Sequence, residues 1–400
     1  MQRIIFVNLH CNPMLVKVLD KFIFKQSVAI KHKFLLEYLL SNPSFEVCSY
    51  INPIGFSLAS SLSRPIMKFL YQFRFIEHRL VLKKNHIDAR KIRVLKCVED
   101  IKPDDIVILY RHCANQLFDA DKINAFKVIS MIHFWGKRSE SEILRRVNPA
   151  KLICEVDLSK YSEIFNRYYS WYKKGFIVHP FVFESRFKNV KPFSQRVNKA
   201  FATGTITYKD DSDFLEVYGN PCDQPSRKQI KDNAETLKDL IFCTSSDYSE
   251  DVKTFKKSSN NSIVRFYQAL HYKLFESQQK KYYSFDMVEA FNNYKMCIVG
   301  EEILGVPGIG FAEGMACGCA YIGQTIGYYE DYGMKEGVHY IGYDGTLEDL
   351  KAKISYYQQL EHQEELENIA KAGCEFVREN FFGPVVAEKL LSRLIELSKE

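Results

Sequence analysis

One stretch of this 400-residue sequence, residues 294–323, constrains the fold more than any other. Residues 296–299 form a short apolar run of strand length, residues 311–317 have helix-forming composition, and residues 320–322 resume as a strand. The loop residues before the helix are Gly300, Gly305, Pro307, Gly308 and Gly310. This order predicts a parallel βαβ unit whose loop lies at the carboxyl edge of a sheet, where open α/β folds bind ligands.

The residue types of this loop favour a nucleotide diphosphate. Glycines such as Gly308 and Gly310 let backbone N–H groups come close to an anion, and the amino end of the helix that follows favours phosphate. Phe311, at the start of that helix, is a further candidate contact of the donor. Glu313 lies in the first turn of that helix, and a carboxylate can accept two hydrogen bonds from the vicinal hydroxyls of a ribose. The alternative, that these are only turn and cap residues, stays open for a single glycine loop.

The composition indicates a two-domain globular protein without a membrane span. The chain is 46% hydrophobic and 26% charged, and its length leaves room for two domains. No apolar run reaches the ~18 to 20 residues that a span needs, and the sequence opens on a strand pattern, so we expect neither signal peptide nor transmembrane anchor. The eleven cysteines lack paired metal-ligand spacing, which favours reduced thiols and a cytoplasmic protein.

Strand patterns alternate with helix patterns along the first half of the chain. Five runs have the length and composition of strands: residues 3–8, 45–51, 105–110, 127–132 and 151–156. Together with the helical spacing in residues 16–40, they predict a mainly parallel sheet covered by helices on both faces, a Rossmann-like domain at residues 1–190. A second Rossmann-like domain follows at residues 191–383, and an amphipathic helix closes the chain at residues 384–400.

Residues 61–96 carry ten lysines and arginines against two acids, a surplus larger than the net charge of +6 of the whole chain. Apolar residues between Met67 and Leu80 fall near helical spacing, and a basic amphipathic helix can lie on an anionic membrane surface. The stretch predicts peripheral contact with the inner face of a membrane, and a domain helix with a solvated basic face is the alternative. Nucleic acid is not an expected partner, since no recognised binding motif accompanies the charge.

Candidate phosphate contacts follow the first strand of the second domain. Gly204 and Thr205 end an apolar run and Lys209 lies just beyond, so a glycine, a hydroxyl and a cation could meet a diphosphate; a plain turn explains them equally well. The triplet Asp211-Ser212-Asp213 has carboxylates that suit a hard cation. We interpret it as a solvated acidic loop and expect no metal and no cofactor. Residues 244–262 are predicted to form a mobile surface loop.

Four segments, in this order, resemble the two-domain GT-B glycosyltransferases, in particular the retaining group 1, family 4-like enzymes. KVISMIHFWGK resembles a strand ending in a sugar-contacting His, NPAKLICEVDLSKYSEIF resembles the next strand, and FIVHPFVFESRF resembles the interdomain segment. FAEGMACGCAYIG resembles the donor-site motif usually written EAMACGxPV and is the most specific of the four. The resemblance covers most of the chain and implies an α/β fold of two Rossmann-like domains facing each other across a cleft, with the C-terminal helix crossing back to the first domain.

The resemblance also implies roles for acidic residues. Glu313 matches the second acid of the family's paired-glutamate motif, which binds the nucleotide ribose, whereas the first acid would fall at Gly305. Glu301 and Glu302 are the candidates to supply the missing carboxylate from a shifted loop, and we select Glu302. The order of these elements is also similar to the donor half of α1,3-fucosyltransferases, so the sugar is not assigned.

Cations and histidines complete the implied site. The family's phosphate-binding Arg and Lys follow the first strand of its second domain, where this sequence has Thr205 and Lys209, and Arg265 is the candidate substitute for the missing Arg. Such cations can neutralise a departing diphosphate without a metal. The resemblance implies that His133 positions the sugar. Two further candidates for a base toward the acceptor, since imidazole titrates near neutral pH, are His112 and His10.

The function implied by the resemblance is glycosyl transfer. A nucleotide sugar would give its sugar to a glycan or lipid-linked saccharide acceptor in surface polysaccharide biosynthesis, in the cytoplasm or on the inner face of the membrane. An epimerase or hydrolase acting on nucleotide sugars is a second hypothesis within enzymes. A catalytically silent GT-B subunit that binds a nucleotide or glycan and supports a partner enzyme is the alternative from another class, because the first acid is missing at Gly305.

Overall fold

The computed structural model describes residues 1–7, 9, 30, 32–51, 75, 78–83, 85–110, 120–132, 134–247, 264, 267 and 286–400. The chain divides into two compact units. The first unit consists of Met1–Asp157, Phe165–His179 and Val386–Glu400, and the second consists of Leu158–Ile164 and Pro180–Val385. The last helix of the chain therefore groups with the first unit, and the short segment 158–164 groups with the second.

The first unit contains a parallel sheet of seven strands. They are β1 (Gln2–Val7), β2 (Phe45–Tyr50), β3 (Arg93–Leu95), β4 (Ile106–Tyr110), β5 (Phe126–Ser130), β6 (Lys151–Cys154) and β7 (Phe176–Val178). Their order in the sheet is β3-β2-β1-β4-β5-β6-β7, which from β3 to β6 is the order of a Rossmann fold. Every residue of β4 is buried, because a central strand of such a sheet is covered on both faces.

The second unit contains the remaining described strands. They are β8 (Val197–Ala202), β9 (Thr205–Ile206), β10 (Ile241–Cys243), β11 (Ser246–Asp247), β12 (Tyr294–Ile298), β13 (Ala320–Gln324) and β14 (Ile341–Tyr343). Five of them form a parallel sheet in the order β10-β8-β12-β13-β14, and β9 pairs with β11. The strand order reverses between β8 and β12, and open α/β sheets bind ligands outside the carboxyl ends of strands at such a switch point.

The described α-helices, in chain order, are α1 (Lys33–Ser41), α2 (Arg138–Val147), α3 (Leu158–Tyr161), α4 (Glu163–Tyr168), α5 (Ser212–Tyr218), α6 (Pro225–Asp232), α7 (Met287–Asn293), α8 (Gly310–Ala316), α9 (Tyr328–Asp331), α10 (Leu347–Gln358), α11 (Gln363–Asn380) and α12 (Gly383–Leu397). Short 3₁₀ turns occur at Ala89–Lys91, Val98–Asp100, Ala120–Lys122, Phe193–Gln195 and Leu360–His362. Polar N-caps start several helices, as where Thr346 Oγ1 accepts from the N–H of Asp349. Within the described part of the chain, none of the helices combines the length and apolar character that a membrane crossing needs.

The basic stretch 61–96 is not helical throughout. Residues 78–83 are helical, but β3 is an edge strand of the seven-stranded sheet, and Arg93 of β3 pairs with Glu46 of β2 at 3.2 Å. The β-branched residues Ile92 and Val94 favour a strand here, and burial beside β2 outweighs the surrounding charge. The predicted helical spacing falls between Met67 and Leu80, and residues 61–74, 76, 77 and 84 of the basic stretch lie outside the described residues.

Two predicted loops also differ from expectation. Asp211 is not part of a solvated loop: its side chain accepts from the N–H of Asp213 at 3.1 Å and caps α5. A short acidic side chain is a favoured N-cap, and this hydrogen bond lets α5 begin within the triplet, at Ser212. The predicted mobile loop 244–262 contains strand β11, and its residues 248–262 lie outside the described residues.

Candidate functional site

The predicted βαβ unit of residues 294–323 is confirmed. Strands β12 and β13 pair in parallel, with Cys297 opposite Tyr321, and α8 connects them. Gly318 ends the helix with a φ of 81°, a left-handed value that glycine adopts without strain. The segment between β12 and α8, residues 299–309, is called the glycine loop below.

Three glycines make room for one arginine. A Cβ atom on Gly308 would lie 2.7 Å from Arg227 Nη2, and one on Gly300 would lie 2.9 Å from Arg227 Cγ. Gly204, between β8 and β9, would bring a Cβ atom within 2.9 Å of Arg227 Nε. Since real side chains do not approach so closely, these glycines form a cradle for the guanidinium group. We call Arg227 with Gly204, Gly300 and Gly308 the arginine cradle.

The guanidinium of Arg227 is a fixed, buried cation. Nε donates to the carbonyl of Gly300 and Nη1 to the carbonyl of Thr205, both at 2.9 Å, and the residue is 8% exposed. Arg227 lies in the first turn of α6, where the helix dipole disfavours a positive charge, and the two carbonyls offset that cost. Among the described residues Arg227 forms no ion pair, so the cradle places a buried cation, held by neutral carbonyl groups, where the strand order reverses.

Lys209, the second predicted cation, is already paired. Its Nζ lies 3.0 Å from Asp223 Oδ2 and 4.8 Å from the centre of the Phe214 ring. Thr207 Oγ1 donates to Gln224 Oε1 at 3.0 Å and so holds the turn before α6 against β9. The structure therefore brings Lys209 close to Arg227 and Glu302, but Asp223 compensates its charge.

Glu302 faces this group of charges from the glycine loop. Gln224 Nε2 donates to its Oε1 at a long 3.4 Å, and the side chain is half-buried. Burial raises the pKa of Glu302 to about 7, and the negative Asp223 adds to the rise, while Arg227 and Lys209 oppose it. Its carboxyl group therefore changes charge near neutral pH beside two cations.

Glu301, its neighbour, belongs to the protein core. The residue is 3% exposed, and its Oε1 accepts from the N–H of Gln324 and the hydroxyl of Tyr329, both at 2.9 Å, and from the hydroxyl of Tyr321 at 3.2 Å. Burial raises the pKa of its carboxyl group. Glu301 thus anchors the glycine loop to β13 and α9, and of the two candidates for the missing acid only Glu302 lies beside the cations.

Gly305, where the resembled family has its first acid, has no room for a side chain. Its φ of 79° is left-handed, and a Cβ atom would lie 2.6 Å from the carbonyl carbon of Tyr161 and 3.1 Å from the nitrogen of Ser162. Backbone strain and a backbone clash both exclude an acid at this position. The missing acid is therefore a consequence of how segment 158–164 packs on the loop.

Glu313 is half-buried in α8, as predicted for the first turn, and its Oε2 would lie 3.6 Å from a Cβ atom on Gly310. Burial raises its pKa to about 7; Arg186 lowers and Glu184 raises it by smaller amounts. Arg186 itself is paired with Glu184 at 2.8 Å. The carboxyl group of Glu313 is thus poorly solvated and forms no hydrogen bond to another described residue, which leaves it able to bind a ligand hydroxyl.

The remaining predicted residues fall into three groups. Thr205 offers its carbonyl to Arg227, and Gly310 begins α8 beside Val299. Phe311 is fully buried, with its ring packed against Tyr321, Tyr329, Tyr332 and Phe381, so it is a core residue and not a ligand contact. The other candidates lie outside the described residues: His10, His112, His133 and Arg265.

Sequence reasoning missed Arg227, Asp223 and Gln224. A signal was present, because Pro225 marks the start of a helix and an arginine in the first turn opposes the helix dipole. An arginine at this position needs an electronegative partner, and this requirement marks Arg227 as a candidate functional residue. Within the described ranges, no cluster of three or more His, Cys, Asp or Glu side chains has the spacing of a metal site.

Comparison with known proteins points to the fold. No family model matches the sequence, and no curated protein matches it. The solved structure of HepE from Anabaena in complex with UDP and glucose is 11% identical with a TM-score of 0.52, covering 99% of this chain and 100% of that one. Sucrose-phosphate synthase from Thermosynechococcus elongatus is also 11% identical, with a TM-score of 0.52 and 99% of both chains covered.

A third similar structure is the N-terminal domain of trehalose-6-phosphate phosphatase from Candida albicans, which is 10% identical with a TM-score of 0.52 over 100% of this chain and 97% of that one. Similarity along whole chains at such low identity reflects the fold. The chain has the GT-B fold, with two Rossmann-like units built on parallel sheets. The predicted fold class is confirmed.

Proposed function

We propose that this protein is a glycosyltransferase that takes a sugar from a nucleotide sugar. The observation that carries the proposal is the buried guanidinium of Arg227, which forms no ion pair with a described residue and lies where the order of the five strands reverses. A buried cation of this kind favours an anion, and a diphosphate fits a guanidinium well. The GT-B fold and the UDP bound by HepE support a nucleotide as the ligand.

Arg227 would act on the leaving group. As the bond between the sugar and the diphosphate breaks, the electron pair moves to the phosphate oxygen, and Nη2 of Arg227 can donate to it without reorganisation. Lys209 would contribute once the diphosphate competes with Asp223 for its ammonium group. The first N–H groups of α8 have no carbonyl partner within the helix and add further donors.

The two glutamates would hold the rest of the donor substrate. Glu313, as a carboxylate, would accept hydrogen bonds from the vicinal hydroxyls of the ribose. Glu302 lies beside both cations and would contact the transferred sugar in place of the acid that Gly305 excludes. Both carboxyl groups titrate near neutral pH, so donor binding would depend on pH in the physiological range.

We further propose that the reaction needs no divalent metal. Two cationic side chains beside the proposed diphosphate can neutralise its charge, which is the task that a metal would otherwise perform. We expect full turnover in excess chelator. A strict requirement for Mn²⁺ or Mg²⁺ would contradict this part of the proposal.

The proposed acceptor is a glycan or lipid-linked saccharide of surface polysaccharide biosynthesis, reached in the cytoplasm at the inner face of a membrane. The support is the basic stretch 61–96, whose residues could lie on anionic lipid. The test is co-sedimentation with vesicles containing anionic lipid, comparing the unaltered protein with a variant in which Arg74, Arg79, Lys83 and Lys84 are changed to Gln. The variant should stay in solution; equal partition would contradict membrane contact.

One observation favours a second candidate function. Because Gly305 cannot carry an acid, the chain could bind a nucleotide or glycan without transferring sugar and so support a partner enzyme. Incubation with a panel of nucleotide sugars separates the two: slow release of free nucleotide supports the enzyme, and binding without turnover, even with acceptors present, supports the silent subunit.

The proposed function is tested first by thermal shift with UDP, GDP, CMP and TDP. One nucleotide should stabilise the protein clearly, and Glu313→Ala should weaken its binding by about tenfold, the loss expected from removing a charged hydrogen-bond acceptor. Glu289→Ala is a matched control, since Glu289 also lies in the first turn of a seven-residue helix. If the Glu313 variant bound the preferred nucleotide as tightly as the unaltered protein, the ribose contact would be wrong.

A further inference from the structure

Segment 158–164 packs against the glycine loop with its backbone. The carbonyl group of Tyr161 and the nitrogen of Ser162 occupy the space that a side chain on Gly305 would need. The tyrosyl ring of Tyr161 lies edge-on to Tyr328 with centroids 5.5 Å apart. The segment is thus a wall of the loop, although in sequence it follows strand β6 of the first unit.

One carboxylate holds this segment in place. Asp331, at the end of α9, accepts from the Tyr161 hydroxyl at 2.7 Å and from Lys160 Nζ at 2.8 Å, both on the same oxygen, Oδ2. These two hydrogen bonds keep the pKa of Asp331 below its usual value, so the carboxylate stays ionised at neutral pH. We call Asp331 with Lys160 and Tyr161 the clamp.

Two sets of contacts connect the clamp to the glycine loop. The direct route runs through the backbone of Tyr161, which lies against Gly305. The second runs through Tyr328, whose ring lies 4.7 Å from that of Tyr329, and the hydroxyl of Tyr329 donates to Glu301 of the loop. Loss of the clamp would therefore loosen the loop at both Gly305 and Glu301.

We propose that Asp331 is a positioning residue of the nucleotide-sugar site, which acts through Lys160 and Tyr161 to fix the geometry of the glycine loop. The inference rests on the proposed function, because it assigns the loop to the donor substrate. Gly308 packs on Arg227 and Glu302 faces it, so the positions of both depend on the shape of the loop. In this chain the backbone of segment 158–164, which Asp331 holds in place, occupies the space that a side chain at position 305 would need, where the resembled family has an acid.

The test compares Asp331→Asn with Asp344→Asn. Asp344 is an exposed aspartate of the same unit whose carboxylate also accepts two bonds, from the N–H and the hydroxyl of Thr346. The first readout is hydrogen exchange of the amides of residues 299–310, which should become faster in Asp331→Asn and stay unchanged in Asp344→Asn. The second is the affinity for UDP by titration calorimetry, which should fall about three- to tenfold for Asp331→Asn, because small misplacements of binding groups are costly.

Conservative variants separate positioning from general stability. Asp331→Glu keeps the charge and should restore part of the affinity, and Tyr161→Phe, which removes one of the two hydrogen bonds, should show an intermediate effect. Unchanged exchange or unchanged affinity in Asp331→Asn, in a protein that does bind UDP, would overturn the clamp and leave the proposed function standing. Absence of binding to UDP, GDP, CMP and TDP by the unaltered protein would overturn the proposed function itself, and the clamp with it.

Discussion

Glu301 and Glu302 follow each other in the sequence, yet they belong to two different kinds of surroundings. Glu301 lies in what we call the tyrosine cluster, formed with Tyr321, Tyr328 and Tyr329, where hydroxyl groups and a backbone N–H satisfy its Oε1. Glu302 faces the arginine cradle, where Arg227 forms no ion pair with a described residue and Lys209 is paired with Asp223.

The difference distinguishes a residue that stabilises the glycine loop from a residue of that loop that can take part in ligand binding. Burial raises the pKa of both carboxyl groups, so a raised pKa alone does not identify a functional residue. What distinguishes them is the partners: neutral hydrogen-bond donors on Glu301 stabilise the native structure, whereas charged neighbours of Glu302 can be rearranged by an anionic ligand. Substitutions in the tyrosine cluster should therefore lower the free energy of unfolding, whereas substitutions beside the arginine cradle should mainly change ligand affinity.

The largest effect is expected at Gly305, on the side of the tyrosine cluster. Gly305→Ala should lower the free energy of unfolding by about 2 to 5 kcal/mol, because it adds left-handed strain to a clash with the backbone of Tyr161. Gly337→Ala is the control, since Gly337 has a similar φ of 71° with no atom within 4 Å and so adds strain alone. Chemical denaturation measures both; equal losses would mean that segment 158–164 does not press on the loop.

The next effect compares the two glutamates directly. Glu301→Ala removes the acceptor of the N–H of Gln324 and of the hydroxyl of Tyr329, which keeps the hydroxyl of Tyr321 at 2.6 Å, and it should cost about 2 to 4 kcal/mol of unfolding free energy. Glu302→Ala should cost under about 1 kcal/mol, since it also removes repulsion with Asp223. Denaturation midpoints of the two variants check this, and a larger loss for Glu302→Ala would reverse the roles assigned here.

The smallest effect is a pH dependence. The folded-state pKa of Glu302, about 7, is raised above its ordinary 4.5, so its contribution to stability is present below pH 4.5 and is lost as the pH rises toward 7. Ionisation also places a negative charge near the proposed diphosphate. Affinity for the preferred nucleotide sugar should therefore fall about threefold or more between pH 6 and 8 through Glu302.

Glu302→Gln should remove that decrease. Glu313, whose carboxylate is the form that accepts the ribose hydroxyls, titrates in the same range with the opposite effect on affinity. In the Glu302 variant, binding should thus become tighter with rising pH. If the affinity of Glu302→Gln for the nucleotide sugar had the same pH dependence as that of the unaltered protein, Glu302 would not lie near the diphosphate.

Much of the fold followed from local patterns. The strand, glycine loop, helix and strand of residues 294–323 were predictable because apolar runs and glycine positions are properties of neighbouring residues. The strand β3 was not predictable in this way, since its place beside β2 is a contact between residues far apart in sequence. Nor could Phe311 be recognised as a core residue before its aromatic neighbours were known.

The candidate site was predictable only in part, for a similar reason. Glu302 and Lys209 lie near Arg227 and Glu313 lies in the first turn of α8, and their roles stay predictions. The glycines were expected to approach a phosphate, but three of them surround Arg227. Arg227 is about 70 residues before the loop that holds it, and only the parallel sheet brings them together. Likewise, nothing in the sequence near Gly305 reveals the backbone of Tyr161.

The most direct test of the central claim is calorimetric titration of the preferred nucleoside diphosphate into Arg227→Ala and Lys228→Ala. Both variants remove one positive charge from α6, but the side chain of Lys228 is 41% exposed and paired with Asp232. We expect about ten- to a hundredfold weaker binding for Arg227→Ala, because a charge-assisted hydrogen bond is lost, and unchanged binding for Lys228→Ala. Equal affinities for the unaltered protein and Arg227→Ala would contradict the central claim.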